Sequence, residues 1–452
     1  EHFFKNELLG AARDKYKKVL EYKNNPNYDY ALYKLGWVYY NRNEFRKCIK
    51  TLKTVVERTD NTLGFQNQAL KDLIQAYAEV DDGWKEMRDY FIEQRDRKFA
   101  YDKLSQLAGL YEGQGKDEDA IAVYKYFIDK RPDHRRIPSW MESVIQAQKR
   151  IVGDGDFRRL EDTINKYVSY LSDNGTWWKK NEGNKGARNN ARLLSQASLA
   201  FLANKYHRRA QKHDNNKDYK SAANYYEEYI ERFPKDGASF DMNFFVAEIY
   251  LLDLENYVQA AKHYQKVVDL YKADKAPKDA KKKEIDSMVK DAAYGVVNSY
   301  NELVKKNHED SILVKMAKFE EKNEGKTLQA KNKKKGPPSE KEPNERVKLL
   351  KFEKGFVKAS DQYAEMFPDT DITPTVDFVA AEVYKARGHY KECIDRYESI
   401  IENAPKHRYA SFAGNSLLEA NYVLERWDAV EKWARHLMEN KIFDITPKES
   451  LQ

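Results

Sequence analysis

The side chains of this chain that could do nucleophilic, acid–base or metal chemistry do not assemble into a known constellation. Its nine histidines are scattered; His207 and His213 stand six apart, a spacing that puts them on different faces of a helix and denies them a shared metal. The run Gly153-Asp154-Gly155-Asp156 opens like a calcium loop but lacks the third ligand and the closing Glu, so it reads as a turn between helices. There is no phosphate loop, GxGxxG, HExxH, CxxC pair or serine nucleophile elbow. With 73 Asp and Glu, paired carboxylates arise on helix surfaces by number alone. The expectation is no catalytic residue, no metal and no cofactor. Cys48 and Cys393 stand near opposite ends of the chain and read as small buried residues rather than a disulfide. Trp177 and Trp178, beside Lys179 and Lys180, admit two readings. They pack under a neighbouring helix, or they stay exposed and stack on a sugar, peptide or base.

The elements that would carry these residues recur. Leu104, Leu107, Ala108, Tyr111, Gly115, Ala120, Tyr124, Phe127 and Pro132 form a succession of large, small, aromatic, turn, small, aromatic and Pro. It returns as Leu32, Leu35, Gly36, Tyr39, Cys48, Leu52 and Val55, and again as Ala380, Ala381, Tyr384, Gly388, Cys393, Tyr397, Ile400 and Pro405. Small residues belong where two antiparallel helices cross closely. The large residue four places after the second small one shares its face and fills the gap to the next unit. Pro132, Pro234, Pro368 and Pro405 each stop a helix.

This succession resembles the tetratricopeptide repeat. The resemblance implies an all-α, right-handed superhelical solenoid of about nine helix pairs plus a leading half repeat. The expected lone helix covers about 7–24, and the pairs 28–58, 66–96, 101–131, 138–172, 187–233, 240–271, 288–367, 374–403 and 409–440. Two pairs are degenerate, with Ile74 and Ile145 in the small position. The array divides into an N-terminal part, 1–305, and a C-terminal part, 346–452, around a Lys/Pro-rich insertion at 306–345 expected to be flexible. Two further interruptions are the Gly/Asn/Lys-rich stretch 172–190 and the basic linker 272–284. The unpaired first helix, and a first residue that is not Met, lead one to expect repeats upstream.

Composition agrees with thin stacked repeats: 13% aromatic residues, 32 of them Tyr, within a polar chain that is 34% charged. A net charge of +7 over 452 residues is too small for a dedicated nucleic-acid binder. No run reaches the length of a membrane-spanning helix.

In tetratricopeptide solenoids the first helices line the concave face, where ligands lie, so the resemblance implies a protein or peptide partner there. In the pair 28–58 the residues off the packing stripe are Tyr30, Tyr33, Trp37 and Tyr40, an aromatic groove that an extended peptide or helix would cover. Tyr33 and Trp37 occupy the places of the Lys/Asn clamp of chaperone-tail binders, so that recognition is not expected. The equivalent stripe elsewhere is polar: Lys71, Gln75 and Glu79; Tyr294, Asn298 and Asn301; Phe378, Glu382 and Lys385. The Tyr-rich segments 30–58 and 244–268 resemble envelope proteins of Gram-negative bacteria, of the gliding-motility or outer-membrane-assembly type. That resemblance implies a non-catalytic scaffold in a larger periplasmic or envelope complex, with a cytoplasmic setting as the alternative. The competing function is a nucleic-acid-binding helical repeat using Trp177, Trp178 and the basic inserts.

Overall fold

The computed structural model describes residues 1–58, 65–153, 155–277, 281–323 and 346–442. Every regular element among them is a helix, and the chain divides after Ser198 into two compact units. The first holds α1 (His2–Lys5), α2 (Leu9–Val19), α3 (Tyr28–Asn41), α4 (Phe45–Arg58), α5 (Phe65–Tyr77), α6 (Gly83–Gln94), α7 (Arg97–Gly113), α8 (Asp117–Lys130), α9 (Ile137–Val152), α10 (Arg158–Tyr170), α11 (Thr176–Lys180) and the start of α12 (Lys185–His213). The second continues α12 and adds α13 (Asn216–Arg232), α14 (Ala238–Glu248), α15 (Tyr257–Lys272), α16 (Lys282–Asn307), α17 (Ile312–Asn323), α18 (Lys351–Met366), α19 (Thr373–Ala386), α20 (Tyr390–Asn403), α21 (Ala410–Val423) and α22 (Trp427–Glu439). Helices adjacent in sequence pack on one another within each unit, as the repeat requires.

Close crossing explains the small residues. A Cβ added to Gly36 on α3 would come within 2.7 Å of Leu52 on α4, and one added to Gly414 on α21 within 2.8 Å of Leu437 on α22. The aromatic that fills the gap to the next pair is Tyr264 on α15, whose ring lies 2.7 Å from a Cβ built on Gly295 of α16. Cys48 and Cys393 are buried free thiols, each inside its own unit.

Turns and stops repeat as well. Asn43, Gly115, Gly388 and Glu425 all take left-handed backbone (φ 56, 69, 71 and 55°) at the end of a first helix. The next residue then donates its N–H five places back: Glu44 to Tyr39, Lys116 to Tyr111, His389 to Tyr384 and Arg426 to Asn421. This is the Schellman closure, which satisfies carbonyls the helix would leave bare. Second helices end instead on a residue outside the helical region just before Pro: Arg131, Phe233, Phe367 and Ala404, with φ between −127 and −138°.

Three places differ from the expectation. The stretch 172–190 contains α11 and the first residues of α12. Within the insertion 306–345, residues 312–323 form α17, because Ile312, Leu313, Val314 and Met316 give it an apolar face that is buried. The Lys/Pro-rich residues 324–345 lie outside the described residues. A π-helical turn, Ile249–Asp253, also extends α14 before α15 begins.

Candidate functional site

The aromatic stripe of α3 is closed from within. Asp72 of α5 is buried opposite it and accepts from Tyr33 Oη (2.7 Å), Trp37 Nε1 (2.9 Å) and Gln68 Nε2 (3.0 Å). Burial and the Asp72 carboxylate push the Tyr33 phenol up to about 12. Tyr33 is therefore a core residue that locks α3 to α5. It corrects the expectation of an open groove: a hydroxyl on an aromatic face lets the next repeat supply the cover. Tyr30 donates to Glu1 Oε2 (2.8 Å), and the ring of Trp37 meets Tyr40 edge-on at 5.6 Å. Tyr30, Trp37 and Tyr40 stay half-exposed, but the crevice among Trp37, Tyr40, Asp72 and Gln75 has no room for a water molecule.

The other stripe positions divide. Lys71 and Tyr294 are exposed and Gln75, Asn298 and Asn301 half-exposed, whereas Glu79 pairs with Lys116 (2.8 Å). Phe378, Glu382 and Lys385 are buried, against the expectation of a solvated face. Phe378 stacks on Tyr409 at 4.5 Å; Glu382 accepts from Tyr397 (2.6 Å) and Ser416 (2.8 Å); Lys385 pairs with Glu419. Here the neighbouring α21 brings the partners that make burial of charge tolerable.

Of the two tryptophans, Trp177 is fully buried and Trp178 half-buried, its ring 5.0 Å from the Arg188 guanidinium and its carbonyl held by Arg188 at 2.8 and 3.0 Å. Trp177 is not a stacking platform. Its Nε1 donates to His134 O (3.0 Å). Asn181 Nδ2 donates to Asp133 O (3.1 Å), Tyr170 Oη to Pro132 O (2.7 Å), and Lys180 pairs with Asp133 (2.6 Å). Three consecutive carbonyls of the α8–α9 turn are thus held by side chains from α10, α11 and its C-terminal edge. The insert between α10 and α12 is a brace for that turn.

What the braced turn presents is an open basin of about 980 Å³, between it and the start of α7. Arg95, Arg97 and Lys98 line it from the α6–α7 side, and Arg131, Arg135 and Arg136 from the α8–α9 turn. None of the six has a carboxylate within 4.0 Å among the described residues, although ion pairs are common elsewhere in the unit. The basin's own carboxylates are engaged: Asp96 caps α7 by accepting from Phe99 N (2.7 Å), and Asp102 accepts from Gln106 (3.1 Å). Aromatic rings beneath aim the cations, with Arg95 over Phe99 (4.6 Å), Arg131 over Tyr101 (5.7 Å) and Arg136 over Trp140 (5.9 Å). Trp140 is stacked on His134 (4.9 Å) and Phe127 (5.0 Å), and its buried Nε1 has no acceptor. His134 Nδ1 accepts from Arg136 N (3.2 Å). Burial, then the charges of Arg131, Arg136 and Arg135, hold its imidazole below the ordinary value, so the ring stays neutral beside them.

Sequence reading missed this site. The signal was available in Arg95-Asp96-Arg97-Lys98 and Arg131-Pro132-Asp133-His134-Arg135-Arg136, two cation-rich segments at successive links between pairs. Only the stacking of pairs brings them together. No nucleophile–base pair stands among these cations. No group of three or more His, Cys, Asp or Glu able to hold a metal occurs among the described residues.

Tetratricopeptide-repeat profiles match residues 30–60, 104–134 and 207–279. No curated protein matches the sequence. Similar solved structures include a tetratricopeptide repeat protein from Parabacteroides merdae (11% identity, 78% of this chain and 99% of that one, TM-score 0.24). Others are the P58(IPK) TPR domain (11%, 94% and 96%, TM-score 0.21) and Naa15/Naa10 bound to HypK-THB (13%, 96% and 66%, TM-score 0.18). The profile matches fall on α3–α4, α7–α8 and α12–α15, pairs whose small residues, turns and stops have been described above, and the chain carries tetratricopeptide repeats.

Proposed function

We propose that this chain is a non-catalytic adaptor that holds a protein partner, and that its principal contact is the cationic basin of the first unit. The observation carrying this reading is the set of six cations outside ion pairs, three of them on a braced turn. Leaving charges unpaired forgoes stabilisation from neighbouring carboxylates, and a rigid backbone removes ordering cost at the moment of binding. The half-exposed Trp37 and Tyr40 with Lys71 and Gln75, and in the second unit Tyr294 and Asn298, offer additional partner contacts. The resemblance of the Tyr-rich helices to envelope proteins supports a place in a bacterial envelope complex, which fractionation of cells would test.

Quantitative capture of partners by the immobilised chain tests the adaptor reading. Arg97→Gln/Arg135→Gln should lose most of what the wild type recovers, and Arg192→Gln on α12 should not. Equal recovery by all three would refute the basin as the contact. The second reading, a nucleic-acid binder, is favoured by the same cations but loses Trp177 as a stacking group, since that ring is fully buried.

A further inference from the structure

From the same basin, and resting on the adaptor reading, we infer the chemistry of the partner: a peptide segment rich in Asp and Glu, held by guanidinium–carboxylate pairs. Five of the six cations are Arg, whose planar fork matches a carboxylate bidentately. Lys would suffice for a diffuse field. The basin, about 980 Å³, is at the upper end of ligand pockets, so it suits several side chains of an extended segment rather than a single small ion.

Two observations favour carboxylates on a peptide over a nucleic-acid strand. First, the rings that would stack on bases are already in use. Phe99 lies under Arg95 and also under Lys103 (5.2 Å), Tyr101 under Arg131, and Trp140 is packed on His134 and Phe127. Stacking platforms for single strands need open faces. Second, the six cations form a compact group on two links between helices rather than a run along one. At the edge of the α8–α9 turn Lys180 is already paired with Asp133 (2.6 Å), so a phosphate backbone running on that way would find neutralised charge.

Binding by the full chain is measured by fluorescence anisotropy with three labelled probes of equal length. They are an alternating Asp/Glu hexapeptide, its Asn/Gln isostere and a single-stranded hexanucleotide. The acidic peptide should bind at least tenfold more tightly than the isostere and more tightly than the oligonucleotide. Arg131→Gln/Arg136→Gln should weaken it at least tenfold, and so should the solvent-exposed pair Arg97→Gln/Arg135→Gln, which touches no packed ring. Arg192→Gln should leave it unchanged. Acidic peptide binding no better than the isostere overturns the inference, as does binding unaffected by either double variant. Tighter binding of the oligonucleotide overturns it in favour of nucleic acid. Capture of cellular partners by the same variants separates the two levels. If capture is lost while the acidic peptide fails to bind, the adaptor reading stands and the carboxylate chemistry falls. If capture is untouched, the adaptor contact itself falls.

Discussion

Single residues carry either packing or charge, and the structure shows which. Asp72 was no candidate in the sequence, yet its buried carboxylate gathers Tyr33, Trp37 and Gln68. Replacing it with Ala removes the shared acceptor of three hydrogen bonds, though Trp37 Nε1 still has Tyr33 Oη (2.9 Å), and should destabilise the first unit by about 2–4 kcal/mol, read by denaturant unfolding. Asp377 makes a different case. Burial pushes its carboxyl up to about 6 from the ordinary 3.8, with Arg396 opposing and Asp361 reinforcing the shift. A raised acid pKa stabilises the fold most below the unfolded value and loses that contribution as pH rises through about 6. Asp377→Asn should therefore gain stability relative to wild type between pH 4 and pH 7, by up to about 3 kcal/mol from this group. A difference that stays flat across that window, measured by thermal unfolding, would show the carboxyl to be ordinary.

At the scale of the helix pair, the logic of small residues and closed turns was legible in the sequence. Gly36, Ala108, Cys48 and Pro132 announce crossings and stops by type and spacing alone. The left-handed turn was legible only where Gly115 or Gly388 occupies it; Glu425 takes the same conformation, which costs a side chain about 1 kcal/mol. Glu425→Gly should thus be close to neutral or stabilise the last pair by up to about 1 kcal/mol. Gly36→Leu should destabilise by about 1–3 kcal/mol, because Leu52 fills the space. Less legible were contacts between pairs. Nothing local says that Tyr33 reaches Asp72, that Glu382 meets Ser416, or that Trp177 seals the carbonyl of His134. Trp177→Phe keeps the ring and removes that hydrogen bond, so the α8–α9 turn should exchange its amides faster at 131–136 for a loss of about 1 kcal/mol. Unchanged exchange there would deny the insert its bracing role.

Across the whole molecule, a modest net charge of +7 hides a local concentration. Ion pairs occur across the first unit, and six cations outside those pairs meet where two inter-pair links come together. Averaged composition could not show this local group of cations, which leaves the total charge unchanged. The repeat pattern predicted pairs and their order well. It directed attention to the first-helix stripe, where Tyr33, Phe378, Glu382 and Lys385 are buried by their neighbours while the other positions stay exposed or half-exposed, and away from the links that carry the basin. In the proposed function, partners seat at this basin. Hydrogen-exchange footprinting of the full chain with a captured partner tests it directly. The prediction is protection concentrated at 95–105 and 127–140, with little change over 30–41. Protection confined to 30–41, or absent from both links, would contradict it.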